Sequence, residues 1–352
     1  MSHWVMRGAA FMLLVVSVIS FLLFQRIIQL PAILVGQPPP PPVVLPDSRT
    51  DRPLQALYQL QVQAARGGWT SDRLRLAGDL WRSMGDLTRA VAYWEAAAPD
   101  ATVLRDRAQA YLDLQRWSDA DDTLDHLLKL LPADSTDRPW AQFQLGLIRA
   151  AYNPTQALDL LRAAQPTYGA TVTNLLPLLA GAADSTQVGI VLAKNNLWPY
   201  AELAFSQSSD GLALAYRGLA RDMQSKDGSE QIAAAVALAP QNSQVRFLQG
   251  LHLRLAYDYA GSMRAMVQAV ALDPENPALY AELGKAYQLN GDLVSAEHWL
   301  KFAVSLDSHF QPLLDSFYDD EKSALLSLGL VDEASLPFST TPTPTEESTV
   351  QP

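Results

Sequence analysis

Residues Pro277 to Phe310, PALYAELGKAYQLNGDLVSAEHWLKFAVSLDSHF, read as two amphipathic helices joined by a tight turn. In the first helix Tyr280, Leu283, Gly284 and Tyr287 recur at spacings of three and four, which places them on one face. Asn290-Gly291-Asp292 supplies the turn, with Gly291 free to take a positive φ. In the second helix Ala296, Leu300 and Ala303 form the matching apolar face. Gly284 and Ala296 are small where the two helices cross, and Tyr287 fills the space beside them.

Working outward, the same pattern returns 34 residues earlier. Ser243 to Asn276 carries Gly250 at the place of Gly284, Met266 at Leu300 and Ala269 at Ala303, and Pro274 ends its second helix. Ala101 to Asp134 repeats it with Ala108, Tyr111, Ala120, Leu124, Leu127 and Pro132. Ser71 to Asp100 has Gly78, Trp81, Gly85-Asp86, Ala90, Trp94 and Ala97, with a shortened end. Weaker copies fill the gap. Trp140 to Pro166 has Leu145-Gly146 and Ala157 around a turn at Tyr152-Asn153-Pro154. Ala182 to Ser209 has Gly189, Leu192, Asn195-Asn196, Ala201 and Phe205. Asp210 to Gln241 has Gly218, Ala235 and Pro240 and is two residues short between its helices. The tryptophans Trp81, Trp94, Trp117 and Trp299 are expected in the core.

These residues resemble the tetratricopeptide repeat (TPR): an aromatic residue, Leu-Gly, Tyr, then Ala, an aromatic or Leu, Ala and a closing Pro, a place that Ser308 takes in the Pro277 copy. The resemblance covers residues 71–310, about seven repeats. It implies an all-α fold, a right-handed superhelical solenoid of helix-turn-helix repeats. One helix pair cannot bury its apolar face alone, so pairs stack and the ends need caps. Residues 53–70 are expected to form an N-terminal capping helix and 311–336 a C-terminal cap. The tail 337–352, STTPTPTEESTVQP from Ser339 on, carries too little apolar surface to fold.

Ahead of the repeats, Ala9 to Phe24 is an unbroken apolar run of 16 residues between Arg7 and Arg26. As a helix it covers about 24 Å, against a hydrocarbon core of roughly 30 Å, and Ile27 to Val35 adds apolar length. Residues 1–35 are therefore expected to hold a cytoplasmic tip and one transmembrane helix in the lipid bilayer; the rival reading is a cleaved signal peptide. The expected localisation is a single-pass membrane protein with its repeats extracytoplasmic. Residues 36–52 contain QPPPPPVVLP (Gln37 to Pro46), read as a stiff extended spacer or as a ligand for a proline-reading domain.

Composition narrows the function. Lys plus Arg number 26 against 37 Asp plus Glu, a net charge of -11, and no basic stripe offers itself to phosphates, so nucleic acid is not an expected partner. With no cysteine there is no thiolate chemistry, disulfide or lipid-bearing cysteine. No G-x-S-x-G, phosphate loop or H-E-x-x-H appears, and the five histidines share no ligand spacing. No catalytic residue, metal or cofactor is expected, and the chain is read as a non-enzymatic scaffold for protein–protein interaction. The alternative is a permanent structural subunit of an envelope complex for secretion or polysaccharide export.

The TPR resemblance implies a protein or peptide partner on a concave face made by the first helices. Its inward places fall on Gln244, Phe247, Leu251, Arg254 and Leu255 in one repeat, and on Ala278, Ala281, Lys285, Gln288 and Leu289 in the next. Earlier repeats place Asp72, Arg75, Asp79, Arg82 and Ser83, then Thr102, Arg105, Gln109, Leu112 and Asp113 there. Arg75 and Asp79, like Arg105 and Gln109, do not match the Lys and Asn with which one TPR sub-family clamps a C-terminal carboxylate. The expected ligand is a segment with apolar anchors and an acidic group, docked near Phe247, Leu251, Arg254 and Lys285.

Overall fold

Apolar stripes at helical spacing, punctuated every dozen residues by a turn, leave a helix hairpin as the only way to bury both faces. The computed structural model describes residues 52–181 and 183–327, and among them every regular element is helical. The expected transmembrane helix within 1–35, almost all of the linker, the end of the C-terminal cap and the tail lie outside the described residues. No helix among the described residues is long and apolar enough to cross a membrane. The chain divides into two compact units, residues 1–141 and 142–352.

In the first unit α1 (Pro53–Gly67) is followed by two hairpins, α2 (Ser71–Ser83) with α3 (Leu87–Ala96) and α4 (Ala101–Asp113) with α5 (Trp117–Leu130). Leu57 and Leu60 of α1 pack with Ala77 and Leu80 of α2. Thr70, Asp86 and Asp100 start α2, α3 and α4 by accepting a hydrogen bond from the backbone N–H three residues on. Trp94 of α3 is fully buried and occupies the space opposite Gly78, where a Cβ would lie 2.4 Å from the indole Nε1. With that ring in place the crossing leaves no room for a Cβ at position 78.

The second unit takes in most of α6 (Arg138–Ala150), then α7 (Pro154–Val172), the short α8 (Leu175–Ala180), α9 (Ser185–Lys194) and α10 (Trp198–Phe205). Three further hairpin helices pairs follow: α11 (Gly211–Asp222) with α12 (Ser229–Leu238), α13 (Ser243–Leu255) with α14 (Tyr259–Leu272), and α15 (Pro277–Leu289) with α16 (Leu293–Leu306). A 3-10 turn (Ser308–Phe310) leads into α17 (Gln311–Ser327). The starts of α13 and α15, Ser243 and Pro277, give the 34-residue step. The glycine-for-bulk exchange recurs, with Gly189 facing Phe205, Gly250 facing Met266 and Gly284 facing Leu300. At the place of Ala296 the preceding repeat has Ser262, whose buried hydroxyl donates to the Gly250 carbonyl at 2.8 Å, so no polar group is stranded.

What repeats most faithfully is a backbone turn. Gly85, Gln115, Asn196, Ser225, Tyr257 and Gly291 all have φ between 55 and 85°. The N–H after each donates five residues back: Asp86 to Trp81, Arg116 to Tyr111, Leu197 to Leu192, Lys226 to Arg221, Asp258 to Leu253 and Asp292 to Tyr287. Each hairpin thus closes its first helix with one left-handed residue and a six-to-one hydrogen bond. The α6–α7 turn differs: Tyr152 and Asn153 both donate to the Arg149 carbonyl, and Pro154 opens the next helix directly.

The helical span α7 kinks at Tyr168 (φ -117°, ψ 27°), two residues past Pro166, and so comprises two helical segments; Tyr168 stacks on Phe143 at 4.1 Å. Of the four tryptophans expected in the core Trp94 is fully buried, while Trp81, Trp117 and Trp299 are half-buried, Trp81 and Trp299 packing against core clusters from their edges.

Candidate partner-binding face

The candidate residues come from α13 and α15, first helices of successive hairpins. Their N-terminal asparagines, Asn242 and Asn276, accept from backbone N–H groups of the first turn and fix where each helix begins. From that start every third or fourth side chain returns to the same face.

The structure brings the two helices together. Phe247 and Leu251 are half-buried and pack both against the cluster under α11 and α12 and against Met266, Leu283 and Ala286. Gln244 Nε2 donates to the Tyr216 hydroxyl at 3.2 Å, and burial pushes that phenol above its ordinary value, with the Gln244 contact opposing. Ala278 is exposed and Gln288 half-buried. Leu255 and Leu289, equivalent residues one repeat apart at the ends of the two helices, are 45% and 44% exposed.

Ala281 is a correction. It is only 1% exposed, packed with Tyr280 and Ala303 and against Val270 and Trp299, so its methyl belongs to the core between helices and offers no surface. The charge pattern also changes. Arg254 donates to Glu282 Oε2 at 2.8 Å and Lys285 to Glu282 Oε1 at 2.7 Å. One carboxylate ties the two cations across α13 and α15 and leaves the cluster a single positive charge. Sequence reasoning missed Glu282 because its equivalent one repeat earlier is the buried Leu248. The available signal was its position three residues before Lys285 on the same helix.

The corresponding face of the first unit satisfies itself. Arg82 donates to Asp106, Arg105 to Asp137 at 2.8 Å and Gln109 to Asp113 at 2.8 Å. Asp79 accepts from the Trp94 indole at 3.2 Å. No group of three His, Cys, Asp or Glu side chains among the described residues is placed to hold a metal ion.

Neither a family model nor a curated protein matches the chain. Solved structures do, at low identity. MamA from Desulfovibrio magneticus is 20% identical over 59% of this chain and 96% of its own, with a TM-score of 0.25. The TPR2AB domain of yeast Sti1 in its pHSP90 complex is 14% identical over 70% of this chain and 96% of its own, with a TM-score of 0.29. A tetratricopeptide repeat protein from Parabacteroides merdae is 15% identical over 66% of this chain and 92% of its own, with a TM-score of 0.33. Likeness this distant bears on no residue; the TPR-like reading of the chain rests on its own hairpins and their 34-residue step.

Proposed function

We propose that the chain is a TPR-like scaffold that binds a protein or peptide segment along the exposed side of α13 and α15. The observation that carries this reading is the pair Leu255 and Leu289. Large apolar side chains left exposed at equivalent places in adjacent repeats supply two anchors in register, beside the Arg254–Glu282–Lys285 cluster. A segment with two apolar side chains flanking a carboxylate matches that order. Its carboxylate would displace Glu282 from one of the two cations, which favours an acidic ligand without demanding one.

The reading also includes the tether. The apolar run Ala9 to Phe24 supports an N-terminal membrane helix, with the repeats held outside the cytoplasm on the proline-rich spacer. Resistance of the full chain to carbonate extraction, together with digestion of the repeats by protease added to intact cells, is the expected result. Release by carbonate would remove the tether from the proposal.

Binding is tested on full-length protein crosslinked in membranes. The partner so identified is purified and titrated against wild type and against the triple variant Leu255→Ala, Leu289→Ala, Arg254→Glu. These positions are exposed or half-exposed, so circular dichroism should stay unchanged while affinity falls at least ~10-fold, as expected for loss of interface anchors. Undiminished affinity in the folded variant would sink this placement of the partner.

A further inference from the structure

The turn between α11 and α12 holds a polar arrangement unrelated to the partner face. His252 of α13 is almost completely buried. Its Nδ1 lies 2.7 Å from Asp222 Oδ2, and its Nε2 lies 3.3 Å from the Ser229 hydroxyl oxygen. Asp222 ends α11 and Ser229 opens α12. The three residues are separated by 30 positions between His252 and Asp222 and 23 between His252 and Ser229, so no motif spacing announces them. Only the stacking of two hairpins joins them.

The arrangement is braced from below. The second oxygen of Asp222 accepts the Gly228 N–H at 3.0 Å, which fixes the carboxylate plane. A Cβ on Gly228 would lie 2.2 Å from the Gly218 carbonyl oxygen, so glycine is required for the start of α12 to sit this close to α11. With its carboxylate fixed, Asp222 accepts the Nδ1 proton and leaves Nε2 as the acceptor facing Ser229. Ser229 itself is exposed at the first residue of a ten-residue helix. Its own N–H donates to Asp227 Oδ1 at 2.9 Å. The N–H groups of Glu230 and Gln231, in the first helical turn, lack intrahelical acceptors and lie next to the hydroxyl in the chain.

We propose that Ser229 is an activated nucleophile that takes an acyl group from a small uncharged ester, with His252 as its general base and Asp222 positioning the base. The Ser229 oxygen forms a bond to the ester carbonyl carbon while its proton passes to His252 Nε2. The carbon–oxygen bond to the alcohol breaks as the imidazolium returns that proton to the leaving oxygen. Water, deprotonated by the same imidazole, then releases the carboxylic acid and restores Ser229. The first-turn N–H groups, next to Ser229 in the chain and without intrahelical acceptors, are the donors open to the developing oxyanion. The Asp227 carboxylate, hydrogen-bonded to Ser229, disfavours anionic esters, which sets the uncharged substrate class. Asp227 also competes with His252 for the Ser229 proton, since its carboxylate is held below the ordinary range first by the Ser229 hydroxyl and then by its N–H.

The test uses the full chain, an uncharged fluorophosphonate probe and p-nitrophenyl acetate. The Ser229 oxygen displaces fluoride from phosphorus, leaving a stable adduct that peptide mass spectrometry places. The expected result is an adduct on Ser229, absent in Ser229→Ala, with p-nitrophenolate release lost in the same variant. Labelling in His252→Ala should slow by roughly 100-fold, the low end for a lost general base, and recover in part with added imidazole. Labelling in Asp227→Asn should be at least as fast as in wild type, because the competing acceptor of the Ser229 proton is gone. Absence of a Ser229 adduct in folded wild type overturns the proposal whatever the variants do. Equal labelling in His252→Ala overturns it too and reduces the arrangement to a structural hydrogen-bond network. Loss in Asp227→Asn with retention in His252→Ala would overturn the assignment of the base.

Discussion

Asp79 shows how one residue is set against its own charge. The side chain is mostly buried beside Trp94. Burial raises its pKa above the ordinary carboxylate value, Arg82 at 3.9 Å pulls it back, and Asp106 pushes it further up. The folded chain therefore holds this proton more tightly than the unfolded chain does. Between the ordinary value and the raised one the folded state binds more protons, so stability falls as pH rises through that window. Above it the cost is fully present. Asp79→Asn keeps an oxygen to accept the indole N–H and removes the charge. It should be at least as stable as wild type in urea at neutral pH, and the margin should shrink as pH drops below the ordinary aspartate range, where the wild-type carboxyl is neutral in both states. A loss of stability at neutral pH would mean that the Arg82 attraction outweighs desolvation.

At the scale of the hairpin, the recurring left-handed turn makes an asymmetric pair of predictions. Tyr257 takes φ 63° with a side chain 79% exposed, so its conformation is strained and little packing is lost with the ring. Tyr257→Gly should stabilise the protein by about 1 kcal/mol, and Gly291→Ala, at φ 85°, should cost about as much; urea midpoints at constant slope decide both. A Tyr257→Gly variant less stable than wild type would show that its contact with Tyr259 outweighs the strain. These turns also mark the limit of what the chain reveals in advance. Gly85, Gly291 and, as a residue that tolerates the left-handed region, Asn196 announce theirs, but Gln115, Ser225 and Tyr257 do the same work with residues that do not specify it. The Pro277 and Ser243 hairpins were legible because glycine, bulk and proline recur in one frame. The stretch from Asp134 to Asp210 was not, because its copies lack the recurring glycine, bulk and proline in one frame and its helical span α7 is broken at Tyr168, two residues past Pro166. On the candidate face, Phe247, Leu251, Arg254 and Lys285 could be placed by register alone. The burial of Ala281 and the bridging by Glu282 depend on neighbouring repeats, which register does not describe.

For a stack of hairpins the whole-molecule property to ask about is cooperativity, since each repeat gains its stability from itself and its neighbours. In the second unit α17 closes the last hairpin. Its Phe317 and Leu314 are buried in one cluster with Ala296 and Leu300 of α16, and no later helix among the described residues covers them. Phe317→Ala removes a buried ring at a cost of about 3–5 kcal/mol. In a globular core that loss would lower the stability of every element together. Here it should lower the free energy of local opening for α16 and α17 and leave α11 to α14 close to wild type, because Leu300 and Leu314 share no cluster with Ile232, two hairpins away, or with Leu248, one hairpin away. Native-state amide exchange resolves the two outcomes helix by helix. Protection lost only from Leu293 onward, with a first unfolding step at lower urea, is the expected pattern. Equal loss of protection in α11 and α17 would show the second unit to be a single cooperative block, and would mean that the 34-residue step is a feature of its geometry and not of its energetics.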